Sequence, residues 1–390
     1  MELPDSLTIT WTLVALFASL FCWYLYRHFT QLRRRGIPGP TPWPLFGNLL
    51  HQFIKGFEKT DAEWLNKYGQ IVGFYNGYQP AVLVTDPELL KMVLVKNFPN
   101  FSNRPVPKNI PQLLANGIFF MKGRKWKKTR NILTPTFSAA KLKYVSNRLK
   151  CKEASIPFLG DAFSRLGLSS SPSKSLDFYE QTGQALIDER KKQKMPRVDF
   201  IELLMNAELD ASRMEYVHNG VEMGNGAHTA NGELKEKLTD YEVNAQAFTF
   251  FLAGFETTAS LLRYATYMLA LRPDIDEKLC NEISENIGED IPTYDNIGTL
   301  KYMDQFISET LRFAPEKKSS YPSEGVTFLP WGLGPRHCIG MRLAQVEAKV
   351  ALVHLLRNFR FEKCDQTQLG IAVIQHVKHS WKEALLKINR

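Results

Sequence analysis

The sequence predicts a mainly α-helical protein with a small β portion, carried behind one membrane-spanning helix. Three features predict it. Ser6–Tyr26 is a run of 21 residues without a charge. Thr239–Leu271 reads as one long helix, opened by a capping box and stopped by Pro273. Strand patterning shows at Ala81–Val84, after the turn residues Asn76-Gly77, whereas Asp86–Lys96, Lys122–Leu133, Asp276–Ile287 and Lys301–Phe313 read as helices.

The N-terminal run is the first element. A helix rises about 1.5 Å per residue, so this run spans the roughly 30 Å hydrocarbon layer. Glu2 and Asp5 precede it, and Arg27, His28, Arg33, Arg34 and Arg35 follow. By the positive-inside rule the body stays in the cytosol. A basic leading region and a small-residue cleavage site are both missing, which argues for an anchor over a removable signal. Four prolines in the seven residues Pro38–Pro44 then forbid a helix and enforce a stiff, extended segment. Alone it fits a ligand for a proline-binding domain equally well; beside an anchor it reads as a spacer.

Composition narrows the classes. The 390 residues are 44% hydrophobic and 23% charged, a globular profile and not a disordered one. Cys22, Cys151, Cys280, Cys338 and Cys364 form no C-x-x-C pair, which argues against a disulfide framework or a zinc ribbon and for a reducing compartment. The net charge of +9 fits nucleic acid, an anionic membrane or an acidic partner. Because topology explains the basic cluster after the anchor, no nucleic-acid role is expected.

Further along, Ser169–Ser173 reads as a flexible loop and Asn206–Gly232 as a disordered surface connection. The long helix is apolar nearly all round, with Phe248, Phe250, Phe251, Leu252, Phe255, Leu261, Leu262 and Leu269. That pattern predicts a helix through the core, where Glu256 is costly unless paired or working. Thr257 and Thr258 after Gly254 weaken the helical ladder locally, because a hydroxyl competes for backbone carbonyls. Glu309 and Arg312 sit three apart on one helical face.

Trp331–Gly340 is the most informative segment. Gly332, Gly334 and Gly340, with Pro335 and Trp331, shape a tight loop that delivers Cys338 to a helix N-terminus. Converging N–H groups and the positive end of the helix dipole favour a thiolate there. Glycine lets a flat ligand approach the backbone. The pattern asks for an anionic sulfur facing something large and planar.

With these motifs in view, the chain resembles a microsomal cytochrome P450, most closely the drug- and steroid-oxidising subfamily and its invertebrate relatives. Trp331–Gly340 matches the haem-binding loop, Ala253-Gly-Phe-Glu-Thr257-Thr the oxygen-activation segment, Glu309-Thr-Leu-Arg312 the E-x-x-R pair, and Trp126-Lys-Lys-Thr-Arg130 the W-x-x-x-R helix. The resemblance implies the P450 fold and haem b held by Cys338 as proximal thiolate. It implies that Trp331 tunes the sulfur, that Arg336, Trp126, Arg130 and Arg104 pair with the haem propionates, and that Thr257 and Glu256 relay protons for oxygen activation. It makes Glu309–Arg312 a structural ion pair. Segments Phe248–Phe255 and Pro105–Phe120 would line a pocket for a small lipophilic substrate.

The implied activity is a monooxygenase fed with electrons from NADPH by a flavoprotein reductase, which a basic face around Lys122–Lys128 would attract, and possible help from cytochrome b5. The implied place is the endoplasmic reticulum membrane. The expected organisation is an anchor and basic stop over 1–35, a hinge over 36–48 and the haem domain over 49–390. Blocks of the family pattern are missing near 147–155 and 313–327, including an arginine that clamps the Glu309–Arg312 pair. A half-satisfied buried ionic network would be costly. One alternative is therefore a truncated isoform or gene-model artefact with impaired haem binding. Another is a haem-thiolate isomerase acting on peroxides, against which Thr257 and Glu256 argue.

Overall fold

Ser6–Phe29 forms one continuous helix of 24 residues. Its stretch Ile9–Phe29 is long and apolar enough to cross a membrane, and it exposes Trp11, Phe17, Trp23 and Tyr26. The computed structural model describes residues 6–106, 110–148, 172–192, 200–209, 236–313, 328–364, 367 and 387–389. These fall into two compact units. One holds described residues up to 101, with 328–329 and 333–335; the other holds the rest.

In the first unit the end of the anchor helix is packed, not free. Phe29 and Leu32 bury against Tyr75, the His28 ring meets Tyr78 O at 2.8 Å, and the Tyr75 hydroxyl donates to His28 O at 3.1 Å. Tyr75 belongs to β1 (Ile71–Asn76), which pairs antiparallel with β2 (Gln79–Val84) across a tight turn. The reading of Ala81–Val84 as a strand finds its place in β2; β1 carried no prior signal, because Gly73 interrupts its apolar run. That glycine has a use. The Gly73 N–H donates to Pro38 O at 2.7 Å, and a Cβ on Gly39 would lie 1.8 Å from Gly73 O, so the proline-rich segment is stapled along β1. Asn48 completes the staple, exchanging hydrogen bonds with the Tyr75 backbone at 2.7 and 2.9 Å. The expected helix over Asp86–Lys96 is regular only at Pro87–Lys91, capped by Asp86, and widens to a π-turn over Met92–Lys96.

The second unit is built on the central helix Asp240–Leu271. Thr239 accepts from Glu242 N, and Glu242 Oε2 accepts from Thr239 N at 3.0 Å, so both bonds of the capping box form. The C-terminal half of this helix buries Leu261, Ala265 and Leu269 against three helices: Pro273–Asn286, Lys301–Phe313 and Met341–Asn358. The first of these starts three residues before the expected Asp276, because Pro273 fits a first helical turn that lacks N–H partners anyway. For the same reason Pro172–Lys192 begins inside the expected loop Ser169–Ser173, whose first residues lie outside the described ones. Most of the expected disordered connection Asn206–Gly232 also lies outside them.

Polar ties fix the helix ends. Glu282 accepts from Tyr302 N at 2.6 Å and Met303 N at 2.9 Å, placing a carboxylate on the positive end of its neighbour. Lys349, almost wholly buried, bonds Asp304 at 2.7 Å and Ile297 O at 3.1 Å.

One expectation fails in the middle of the central helix. Leu252 through Thr257 are all exposed. Phe255 keeps a stacked neighbour in Phe251, with ring centres 6.3 Å apart, so the stretch is open but not without contacts. The helix is core at both ends and more exposed between them.

Asp276 carries a pH signature. Burial pushes its carboxyl above the usual 3.8, partly opposed by Arg360 at 3.4 Å, and its Oδ1 has no hydrogen-bond partner. A raised folded-state value means stability is full below 3.8 and lost as pH rises through that folded value. Asp276→Asn should therefore raise the neutral-pH melting temperature and flatten the pH dependence above 3.8, read by circular dichroism against the unsubstituted chain.

Candidate functional site

Cys338 sits where the loop after Trp331 meets the helix Met341–Asn358. Its N–H donates to Trp331 O at 2.7 Å, closing the loop on itself. Gly332 and Gly334 hold φ of +76° and +74°, the left-handed region that a side chain would strain. A Cβ on Gly334 would also lie 2.0 Å from Leu94 O. At Gly340 a side chain would meet no atom within 4 Å.

The sulfur accepts from the backbone N–H of Gly340 and Met341, the first groups of the helix, as its position at a helix N-terminus predicts. Arg130 and Arg104 add positive charge. Cys338 is open to solvent on one side, yet the protein around it desolvates the thiolate strongly. Burial wins, and the thiol is held above its usual 9.0 despite these four stabilising groups. The expected preference for thiolate is thus corrected for the chain alone.

Arg336, two residues earlier, is the best-held side chain of the site. Its Nε donates to Ser102 O at 2.9 Å and its Nη2 to Met121 O at 2.7 Å. Its guanidinium lies 4.2 Å from the centre of the buried Trp126 ring. Arg104 stacks over Phe119 at 4.2 Å and reaches Arg336 O at 3.5 Å. Burial, then Arg104 and Arg130, push Arg336 down to about 10; burial also lowers Arg104 and Arg130, with Cys338 opposing. Arg104 and Arg130 therefore act on the Cys338 sulfur and on Arg336 alike, so three guanidiniums gather beside the cysteine loop. Such a cluster is relieved by a dianion.

The helix Gly123–Leu133 supplies Trp126 and Arg130, and Asn103 Oδ1 accepts from Gly123 N at 2.9 Å to fix its start. Its other face exposes Lys122, Arg124, Lys125 and Lys127. On the central helix, Thr257 Oγ1 donates to Ala253 O at 2.6 Å, the competing hydroxyl bond that the sequence suggests. Glu256 beside it is exposed, so the anticipated cost of a buried carboxylate does not arise. Of the aromatics expected to line a pocket, Phe248 and Phe250 pack into the protein, Phe248 against Tyr179 and Phe250 against Phe137 and Phe200, while Phe255 and Phe119 are exposed. Residues 107–109 of Pro105–Phe120 lie outside the described ones.

Glu309 and Arg312 form a two-pronged pair, with Nε to Oε2 at 2.7 Å. Their side chains are 56% and 62% exposed, so the pair is a surface one. The absent third partner leaves no buried orphan, which corrects the expectation of a costly half-satisfied network.

Sequence reasoning missed Gln246. Fully buried, it accepts from Ile118 N and donates to Asn116 O, each at 2.8 Å, tying loop 110–121 to the central helix. Gly117 presses on Thr249 at the same place, since a Cβ there would lie 1.9 Å from Thr249 Oγ1. The signal was available: Asn244, Gln246 and Thr249 are polar positions in an apolar run.

Three substitutions separate the held arginine from the exposed pair. Arg336→Ala should cost about 2 kcal/mol in denaturant unfolding, from lost carbonyl bonds and stacking less the relieved repulsion. Arg336→Lys should lose nearly as much, because an ammonium lacks the planar fork. Glu309→Gln should leave the unfolding midpoint within experimental scatter.

The cytochrome P450 family model matches residues 37–159, 168–322 and 312–388. The last two matches overlap, so residues 312–322 fit two places in the family pattern. Cytochrome P450 3A12 of Canis lupus familiaris is 28% identical over 513 aligned positions, covering 99% of this chain and 97% of the relative. Cytochrome P450 3A41 of Mus musculus is 28% identical over 500 positions, covering 95% and 94%. Cytochrome P450 3A29 of Sus scrofa is 28% identical over 515 positions, covering 99% and 97%. A chain of 390 residues cannot fill 513 positions, so at least 123 of them hold the relative alone. Matched at both ends and shortened within, this chain belongs to the cytochrome P450 family of haem-thiolate monooxygenases.

Proposed function

We propose that this chain is a shortened, membrane-anchored monooxygenase of lipophilic substrates, holding haem b through Cys338. The observation that carries this reading is the gathering of Arg104, Arg130 and Arg336 around one cysteine sulfur at a helix N-terminus. The donor set fits haem b. The Cys338 thiol would hold the iron as a thiolate, releasing its proton to water. Two propionates match a crowd of guanidiniums that push one another's values down. Trp126, under Arg336, keeps that guanidinium flat and aimed. Trp331, Gly332, Gly334 and Gly340 keep the loop tight enough for a planar ring to approach.

Bound haem would supply the activation of dioxygen, one atom going to the substrate and the other to water with two electrons and two protons. The chain's own part is to bind, to orient and to deliver protons. The Thr257 hydroxyl donates a hydrogen bond to Ala253 O, which leaves the Oγ1 lone pairs to accept a hydrogen bond from outside. Glu256 is exposed beside it, next to water. Phe255, Leu252 and Phe119 offer apolar surface and no charge, which suits a lipophilic substrate. The exposed basic face at Lys122, Arg124, Lys125 and Lys127 suits an acidic electron-donating flavoprotein fed by NADPH, and cytochrome b5 as a second donor. An N-terminal anchor with a basic stop fits the endoplasmic reticulum membrane, with the body in the cytosol.

In this reading the chain is an anchor over 1–35, a proline-rich hinge over 36–48 and a haem domain over 49–390 that lacks family blocks near 147–155 and 313–327. A second reading has its own support: a chain too short to keep its haem. The exposure of Leu252–Thr257 on the central helix supports it.

The test is coupled turnover in vesicles with a flavoprotein reductase, NADPH and a lipophilic substrate panel. Product should form only with NADPH. Thr257→Ala should cut product per NADPH about tenfold or more while electron flow continues into hydrogen peroxide. Peroxide rearrangement without NADPH would favour an isomerase, and no turnover with no haem absorbance would favour the second reading.

A further inference from the structure

Residues 116–121 are gripped from two sides. On one side stands Gln246 of the central helix, whose Oε1 accepts from Ile118 N and whose Nε2 donates to Asn116 O, each at 2.8 Å. On the other stands Arg336. Its Nη2 donates to Met121 O at 2.7 Å, and its Nη1 is shared between Ile118 O and Phe119 O, each at 3.4 Å. One short bend thus divides its backbone polar groups between the central helix and a residue two places before Cys338.

The chemistry of Gln246 fits this task. A primary amide carries both an acceptor and donors, so it matches a backbone C=O and an N–H two residues apart. An apolar residue of that size would leave both groups buried and unpaired, which costs more than the bonds themselves contribute. Packing on the same face of the helix fixes the bend further. Leu113 buries against Ala245 and Phe248, and a Cβ on Gly117 would lie 1.9 Å from the Thr249 hydroxyl, one turn beyond Gln246. Within the bend, Phe120 N and Met121 N both donate to Gly117 O at 3.1 Å, which ties its two ends together. The bend also presents the exposed Phe119 ring, with the Arg104 guanidinium 4.2 Å from its centre.

We propose that Gln246 is a positioning residue for Cys338: its amide places residues 116–121, and their carbonyls place Arg336 and with it the cysteine loop. This rests on the haem-thiolate reading only for the purpose of the sulfur, since the contacts belong to the chain itself. Because Phe119 belongs to the same bend, a lipophilic molecule pressing on that ring would act on the hold of Arg336 too.

Hydrogen–deuterium exchange of the full chain in detergent micelles tests it, read by mass spectrometry in fragments 112–122 and 331–342. Asn244→Ala is the reference. Asn244 is a buried amide on the same helix, about 200° round the axis from Gln246. It donates to Glu180 O at 2.8 Å, away from the bend. Gln246→Ala should speed exchange several-fold in both fragments, whereas Asn244→Ala should leave 331–342 as in the unsubstituted chain. Arg336→Ala should speed both fragments, and adding Gln246→Ala to it should change 331–342 no further, because the route is already cut. Gln246→Glu, which still accepts from Ile118 N, should give the same pattern at smaller amplitude and serves if the alanine variant does not fold. Faster exchange in 112–122 alone would overturn the proposal and leave Gln246 a local tie. Equal gains from Asn244→Ala, or additive gains in the double variant, would overturn it by showing general loosening. Absence of a thiolate band from the reduced carbon monoxide spectrum would sink the haem-thiolate reading and leave the exchange pattern, which needs no haem, to decide this proposal.

Discussion

The Arg336 guanidinium directs its N–H groups to the carbonyls of Ser102 and Met121 and lies flat on Trp126, and through these bonds the cysteine loop acquires its surroundings. Cys338 is two residues away in sequence, so wherever Arg336 is clasped the sulfur follows. The clasp brings Trp126 and Arg130, which share one helix, and Arg104, which leans on Phe119, to the same place. It also holds three like charges together, a state that folding alone does not favour. The lowered value of Arg336 records that tension. Backbone carbonyls are well suited to the task, because they are neutral, fixed and unable to leave by rotation.

The central helix answers a different demand. At its C-terminal end it joins three other helices through Leu261, Ala265 and Leu269, a core of the kind that contributes about 1.5–3 kcal/mol for each large side chain fully buried. At its N-terminal end it is held by polar fits, with Gln246 on the 110–121 loop and Asn244 donating to Glu180 O at 2.8 Å. Between them Leu252–Thr257 is exposed, with Phe255 still stacked on Phe251. A helix can bridge such a gap because its backbone bonds are internal, so the exposed stretch loses packing without losing its ladder. The Glu309–Arg312 pair shows the same economy: in water it needs no third partner. The chain, shorter than its relatives, therefore keeps its motifs in well-formed local settings.

Much of this was legible in the sequence, and the failures share a cause. The capping box at Thr239, the basic helix from Gly123, the anchor and the glycine-shaped loop around Cys338 are local patterns, and each is decided by residues within a few positions of one another. What escaped depends on distant partners. The carbonyls that hold Arg336 carry no side-chain signature. The exposure of Phe255 and Glu256 is set by what packs on them, and an apolar run reads as buried whether or not a cover exists. The protonated Cys338 thiol reflects desolvation by the surrounding fold, which outweighs the helix N-terminus that its position advertises. The staple of Gly39 on Gly73 depends on two glycines that alone look like turn or spacer residues.

The most direct measurement is the reduced carbon monoxide difference spectrum of the full chain, purified after haemin is supplied during expression, beside the Cys338→Ser variant. The account predicts a long-wavelength band of thiolate ligation in the unsubstituted chain and its disappearance in the variant. A band at the shorter wavelength of histidine ligation, one that survives loss of the sulfur, or no haem in either protein would contradict it.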